Sequence, residues 1–385
     1  MAWFDKETNR SKIGLVLTGG GAKAAYQVGV LKAIIELTPQ DHPFPFQVIS
    51  GSSAGAINAT VLACYANRYR VGMRQLENVW SHFHAHHIYL VGWAGLMANT
   101  LRWASEFLRS PHQSPRPLSL LMNSPLKKLL TNTVQFDNIQ QNIHNGTLDG
   151  LSITAYSYQQ RMSVSFYQSE ENVQNWTRHK RRGERHNLHI NHLMASSAIP
   201  MVFPAVKINR DYYGDGSVGC LSPLSPALHL GAEKLLIIST DPIKHKQLHH
   251  ANINYPTMAE IAGNLMDSIF TDSLASDLER LNRINETLET IPSGRLKRNK
   301  SYLKPINSLL IAPEFDIDEI AGEHFCSLPK LLKFFLNRMG ICANHGGNIL
   351  SYLLFESSFT QVLIQKGYED GLKQADTIKA FIEVS

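Results

Sequence analysis

Two short apolar runs, each entering a cluster of glycines and then a helical pattern, constrain this chain more than any other feature. Ile13–Thr18 leads into Gly19, Gly20 and Gly21, and then into a helix from about Ala22 to Leu37, where Tyr26, Val30, Ala33, Ile34 and Leu37 recur at helical period. After the Pro-rich piece Pro39–Pro45, Phe46–Ser50 leads into Gly51-Ser52-Ser53-Ala54-Gly55 and an apolar helix through Cys64. Strand–turn–helix units in succession are the grammar of a parallel sheet covered by helices. Further strand patterns lie at Leu151–Tyr158, Met162–Gln168, Lys234–Ser239 and Ser308–Ala312, with a strand or hairpin at Ala205–Tyr213. Residues 66–135 read as a mainly helical cap over the sheet, and His192–Ile199 as a helix. The basic stretch Arg178, Lys180, Arg181, Arg182 and Arg185 reads as a solvated loop. Beyond about residue 250 the pattern turns helical, with an amphipathic stretch at Met258–Leu288 (Ile261, Leu265, Ile269, Leu274, Leu278, Leu281) and a basic linker at Arg295, Lys297, Arg298 and Lys300. The expected organisation is an α/β unit over 1–250 and a mainly helical C-terminal region over 251–385.

Composition narrows the function classes. A hydrophobic fraction of 43% with 18% charged residues fits a folded protein. A net charge of +5 is too small to argue for nucleic acid but favours an anionic membrane surface. Cys64, Cys220, Cys326 and Cys342 are scattered without a C-x-x-C pair, which suggests neither a disulfide framework nor a zinc site. Met1–Lys12 lacks an apolar leader core, and no stretch approaches the roughly 18 apolar residues of a membrane span. The expectation is a cytoplasmic protein associated peripherally with membranes, with export by a signal-independent route left open.

Gly51-Ser52-Ser53-Ala54-Gly55 matches G-x-S-x-G. A serine on a sharp strand-to-helix turn needs small neighbours at Gly51 and Gly55, and the helix behind it aims free N–H groups and a positive dipole end at a developing alkoxide. The turn is expected to push the Ser53 hydroxyl into solvent, although the same string also serves as a purely structural turn. Gly19-Gly20-Gly21-Ala22-Lys23-Ala24 admits three readings. A dinucleotide fingerprint runs through Gly19, Gly21 and Ala24, but Asp41, the acidic residue about 20 positions on, sits in a Pro-rich loop. A P-loop fails for want of G-K-[ST]. An oxyanion hole is the third, with glycine amides converging on one oxygen and Lys23 adding positive charge nearby. Gly214-Asp215-Gly216 places a carboxylate in a tight turn, and a D-G pair alone is usually no more than that.

The order of these elements, a glycine loop with a lysine, a G-x-S-x-G elbow and a distant D-G turn, resembles the patatin-like phospholipases. Ala195-Ser196-Ser197-Ala198-Ile199-Pro200, continuing to Phe203-Pro204, is similar to the segment this family carries before its aspartate. Asp277–Asn285 and Ser351–Phe355 are similar to C-terminal regions of bacterial members. The resemblance implies a three-layer α/β/α fold with a mostly parallel central sheet and a helical C-terminal region. It further implies a dyad of Ser53 as nucleophile and Asp215 as base, an oxyanion hole from the amides of Gly20 and Gly21 with Lys23 close by, and no metal or organic cofactor. The implied activity is hydrolysis of phospholipid or lysophospholipid esters through an acyl-enzyme. Acyl transfer from the same intermediate, a silent lipid-binding scaffold and a nucleotide-binding module are the alternatives. Ala24 and Ser217 stand where the family usually has glycine and a smaller residue; Ser217 is expected to hydrogen-bond Asp215 and lower its basicity.

Seventeen histidines raise the question of a triad or a metal. His82 and His86 have i, i+4 spacing, but no H-E-x-x-H arrangement accompanies them, and His84 and His87 fit a solvated helix end. His249 and His250 fall in a loop. Leu328–Met339 sets Leu328, Leu331, Leu332, Phe335 and Met339 on one helical face with Lys330, Lys333 and Arg338 elsewhere, a pattern for core packing or for a membrane interface. Ile88–Met97 is the second candidate for membrane contact.

Overall fold

Strands form where the apolar runs lie, because residues buried on both faces of a parallel sheet need no polar alternation. The computed structural model describes residues 11–90, 119–242, 261, 272–291, 304–338, 341 and 347–383. Among these, one sheet holds ten strands: β1 (Ile13–Leu17), β2 (Val48–Ser52), β3 (Gly150–Ser157), β4 (Met162–Ser169), β5 (Trp176–Arg178), β6 (Arg181–Arg185), β7 (Val206–Ile208), β8 (Asp211–Asp215), β9 (Lys234–Ile238) and β10 (Asn307–Ile311). The order is β10-β9-β1-β2-β3-β4-β6-β5, with the β7–β8 hairpin joined to β3. Pairing is parallel from β10 to β3 and between β4 and β6, and antiparallel at β3–β4, β5–β6, β3–β8 and β7–β8. Helices flank this mostly parallel sheet, as expected. β10 lies beyond residue 250, so chain from both sides of the expected boundary builds one sheet.

The helix expected from about Ala22 begins as a 3-10 turn at Gly21–Ala24 and continues as an α-helix over Ala25–Leu37. It packs closely against the C-terminal helix Ser357–Lys373. A Cβ on Gly29 would overlap the Ile364 carbonyl oxygen, and one on Gly367 would overlap the Tyr26 carbonyl oxygen. The two backbones therefore approach where side chains are absent, and Tyr26 Oη donates to Asp370 Oδ2 at 3.1 Å across the same interface.

One expectation changes. The basic stretch is not a loop: Trp176–Arg178 and Arg181–Arg185 form a hairpin that extends the sheet beside β4. Charge reports the side chains and not the backbone: β6, paired on both sides, carries Arg181, Arg182 and Arg185, and the edge strand β5 carries Arg178. Arg182 pairs with Glu184, and Arg185 donates to the carbonyls of Ser169, Glu170 and Val173. In the helix Lys330–Arg338, Leu332 and Leu336 are buried together with the preceding Leu328, in line with the core-packing alternative, while Leu331 is half-buried. The side chains of Phe335 and Met339 lie outside the described residues, as do Leu265, Ile269, His249, His250, Cys342, the basic linker at 295–300 and residues 91–97 of the second membrane candidate. Among the described residues no helix is long and apolar enough to cross a membrane.

The helix–helix contact makes a stability prediction. Gly29→Ala improves helix propensity but must displace the Ile364 backbone, so it is expected to lower the unfolding free energy by about 2 kcal/mol in a urea titration. A stabilised variant would contradict this packing.

Candidate active site

Strand β3 measures out the site. One edge of β3 carries β4 along its whole length, Gly150–Ser157. The other edge is divided. Parallel β2 occupies it up to Thr154, which faces Ser52, and antiparallel β8 occupies the rest, with Asp215 facing Ala155. The ends of β2 and β8 thus meet head to head, and the residue leaving β2 confronts the residue ending β8. Ser53 Oγ donates to Asp215 Oδ2 at 2.6 Å.

Ser53 opens the helix Ser53–Cys64 with φ of 53°, in the left-handed region that non-glycine residues rarely occupy. The turn is held from several sides. A Cβ on Gly55 would overlap the carbonyl oxygens of Leu17 and Thr18 at the end of β1, and one on Gly51 would lie 2.7 Å from Ala56 Cα. The Ser53 amide donates to Ser196 Oγ at 2.9 Å, and that hydroxyl donates onward to the Thr154 carbonyl at 2.6 Å. The same segment receives the amides of Asp215 at the Ala198 carbonyl (2.9 Å) and of Gly216 at the Ser196 carbonyl (3.1 Å). The end of the helix Ile190–Ser196 therefore grips both members of the pair. Gly216 is seated on the Thr154 carbonyl with no room for a Cβ.

Asp215 is fully buried, and burial pushes its carboxyl up to about 6, against the pull of hydrogen bonds from the Ser53 hydroxyl and the Ser217 amide. The Ser217 amide donates to Asp215 Oδ1 at 2.9 Å, while its hydroxyl lies 3.4 Å from Ser52 Oγ. The expected loss of basicity through Ser217 is thus outweighed by desolvation. No histidine bonds to Ser53 or Asp215 among the described residues.

The glycine loop closes on the same point. A Cβ on Gly19 would lie 2.9 Å from Ser53 Cβ. The amides of Gly19, Gly20 and Gly21 donate no hydrogen bond among the described residues, which leaves them available to an incoming oxygen. Gly21 has φ of 56°, and its Cα face rests on the Tyr352 carbonyl.

The family model for patatin-like phospholipases matches residues 15–228, a span that contains the glycine loop, Ser53 and Asp215. The chain belongs to the patatin-like phospholipase family. No curated protein matches it. Among solved structures it is similar to VipD from Legionella pneumophila, with 13% identity over 96% of this chain and 67% of that chain, at a TM-score of 0.38.

In this patatin-like chain Ser53 is only 2% exposed, which corrects the expectation of a solvated hydroxyl. The cap covers it. Ser53 and Gly21 line a narrow apolar pocket with a cavity volume of about 50 Å³. Ile57 and Val61 form its floor, Leu76, Trp80 and Leu130 come from cap helices, and Phe355 arrives from the C-terminal region. Lys23 has partners that its motif does not announce. Its Nζ is 2.7 Å from Asp241 Oδ1, 3.6 Å from Asp318 Oδ1 and 4.3 Å from the centre of the Tyr352 ring. Burial alone would lower this ammonium, but Asp241, with Tyr352 and Asp318, holds it well above its ordinary value. Its charge is engaged there instead of standing free for an oxyanion.

The histidine segment is not one helix. The helix Tyr69–Ser81 ends before His82, whose Nδ1 meets the Asn78 carbonyl, and His84 Nδ1 lies 2.9 Å from Glu356 Oε2. Among the described residues no cluster of His, Cys, Asp and Glu could hold a metal ion. Residues whose chemistry sequence reasoning missed are Ser196 and the Thr240–Asp241 pair at the end of β9. Polar residues just past a parallel strand, where such sheets build their sites, were the available signal for the latter.

The buried carboxylate carries a stability cost. Its folded value near 6 lies above the ordinary 3.8, so the folded state gains stability as pH falls from 6 towards 4 and loses it as pH rises through 6. Asp215→Asn is expected to raise the unfolding free energy at pH 8 by about 3 kcal/mol and to flatten its change between pH 8 and 4. Denaturant titrations at both pH values check this, and an Asn variant less stable at pH 8 would contradict it.

Proposed function

We propose that the protein hydrolyses carboxylic esters of phospholipids or lysophospholipids through a Ser53–Asp215 dyad and an acyl-enzyme. The observation that carries this reading is the 2.6 Å hydrogen bond between Ser53 Oγ and a buried Asp215 carboxylate at the mouth of an apolar pocket. Family membership supports lipid acyl hydrolysis as the reaction class. The pocket supports an acyl chain as the group recognised, since its walls offer dispersion contacts and few polar partners.

In the acylation step Ser53 Oγ attacks the ester carbonyl carbon as its proton passes to Asp215 Oδ2. The carbonyl oxygen becomes an oxyanion, received by the amides of Gly20 and Gly21 and by the N-terminal end of the helix Ser53–Cys64. Collapse of the tetrahedral intermediate breaks the bond to the alcohol oxygen, which takes the proton back from Asp215. Water then attacks the acyl-enzyme while Asp215 accepts its proton, and departure of Ser53 Oγ, reprotonated from Asp215, releases the fatty acid. An acid with a value near 6 is ionised at neutral pH yet basic enough to accept the serine proton in the transition state.

A fluorophosphonate probe tests the nucleophile. It is expected to modify Ser53, to leave Ser53→Ala unlabelled, and to react far more slowly with Asp215→Asn. For wild type, kcat/KM for a p-nitrophenyl ester is expected to fall below about pH 6, following protonation of Asp215; Asp215→Asn loses about 10⁴-fold in kcat. Labelling elsewhere, or a folded Ser53→Ala that turns over normally, would overturn the reading. The pocket gives a second check. Val61→Phe fills part of the floor and is expected to reduce kcat/KM for a palmitoyl ester about tenfold relative to a butyryl ester. Equal effects on both would remove the acyl chain from that pocket.

A further inference from the structure

The amides of Gly20 and Gly21 can serve an oxyanion only if their N–H vectors are held towards Ser53, and glycines do not hold themselves. A trans peptide is planar, with its C=O and N–H pointing in opposite directions. Fixing the carbonyl of one residue therefore fixes the N–H of the next. Thr240 Oγ1 donates to the Gly19 carbonyl at 2.6 Å, which sets the Gly19–Gly20 plane and hence the direction of the Gly20 N–H. The Lys23 amide donates to the Gly20 carbonyl at 3.1 Å, which sets the next plane and the Gly21 N–H.

Both donors are themselves anchored. Thr240 is fully buried, its amide donates to Thr18 Oγ1 at 3.1 Å, and the loop presses on it so closely that Gly20 has no room for a Cβ. The Lys23 side chain ends on Asp241, the next residue along, and the amide of Asp241 is in turn held by Ser239 Oγ at 3.1 Å. Asp318, whose carboxylate accepts from Ser351 Oγ, stands beside the ammonium. A two-residue step past β9 thus holds both ends of the glycine loop, one through a hydroxyl and the other through an ion pair.

We infer that Thr240 and Asp241, the latter through Lys23, are positioning residues that aim the Gly20 and Gly21 amides at the oxyanion. The inference rests on the proposed dyad and adds to it a source of oxyanion-hole geometry outside the nucleophile and aspartate motifs. Lys23 then acts through Asp241 and its own backbone amide, and not as a charge on the intermediate.

The full-length protein, assayed on p-nitrophenyl butyrate, separates these roles. Thr240→Val deletes the hydroxyl while keeping the shape, and is expected to lower kcat about 100-fold with KM nearly unchanged and the acid limb still near pH 6. Thr240→Ser keeps the hydroxyl and is expected to restore most of the loss. Asp241→Asn is expected to lose kcat as well, whereas a lysine acting directly on the oxyanion would be freed by it and keep or raise the rate. Hydrogen exchange of the peptide covering residues 14–30 is expected to quicken in Thr240→Val and Asp241→Asn but not in Thr240→Ser. Wild-type kcat in Thr240→Val, a Thr240→Ser as impaired as Thr240→Val, or unchanged exchange overturns the inference; should Thr240→Val not fold, Asp241→Asn decides by the same two measurements. A wild type that neither takes the fluorophosphonate nor cleaves the ester removes the dyad reading instead, and exchange still decides whether the step past β9 holds the loop.

Discussion

The shared edge of β3 is the constraint on which the rest of the site depends. A parallel strand and an antiparallel strand cannot both use one edge at the same height, so β2 stops at Thr154 and β8 takes over at Ala155. Ser53 and Asp215 are 162 residues apart in sequence, yet their separation in space follows from two adjacent positions on a third strand. A register slip of one residue in β8 would turn Asp215 to the opposite face and bring Gly214 or Gly216 to its place. The pairing is set by ladder hydrogen bonds, which are stiffer than side-chain torsions, so the Ser53–Asp215 contact inherits the precision of the backbone. Ser196 fits the same logic. It spans from Thr154 to the Ser53 amide and so ties Ser53 to the strand that sets its distance from Asp215.

Two unfavourable features concentrate at that junction. Ser53 holds a left-handed φ, and Asp215 keeps an ionisable carboxyl where water does not reach. Neither would persist in isolation. The surrounding bonds over-determine both: residues 196–198 accept from the amides of Ser53, Asp215 and Gly216, and Ser196 Oγ is itself tied to the Thr154 carbonyl. The same burial that destabilises the carboxylate also raises its basicity and excludes competing hydrogen-bond partners from Ser53. Chemistry and stability pull against each other here, and the fold supplies the difference through the large apolar core behind β1 and β2.

Much of the architecture could be read from the chain because it rests on local signals. Apolar runs ending in glycine clusters located β1, β2 and the two loops that face each other, and the elbow serine stood out because a bulky residue cannot make that turn. Asp215 was different. A D-G pair looks like any turn, and only the register of β3 gives it a partner, so it became legible through family resemblance and not through its own surroundings. The errors share one cause: composition reports the character of side chains and not what packs over them. Ser53 was expected in solvent because the cap cannot be seen from the elbow. The arginines near 180 read as a loop because charge hides the backbone pairing of β5 and β6. Nothing near Lys23 in sequence announces its partner Asp241, 218 residues away.

The same blindness applies to the C-terminal region, which lies beyond the family match yet touches the glycine loop, the cap and the segment after the aspartate turn. Asp277 accepts from Ser222 Oγ at 2.8 Å and from the Leu224 amide at 3.1 Å, bracing the segment that follows the aspartate turn. Tyr352 supplies the carbonyl under Gly21, while Leu353, Glu356 and Thr360 bond to Tyr89, to His84 and Ala85, and to the Trp80 carbonyl in the cap. Residues 352–360 therefore hold the glycine loop with one end and the cap with the other. Buried hydrogen bonds of this kind are costly to break singly, because each leaves a polar group without water or partner. One short stretch of chain thus joins the cap over the pocket to the glycine loop beside Ser53, so a displacement of the cap that opens the pocket also pulls on that loop.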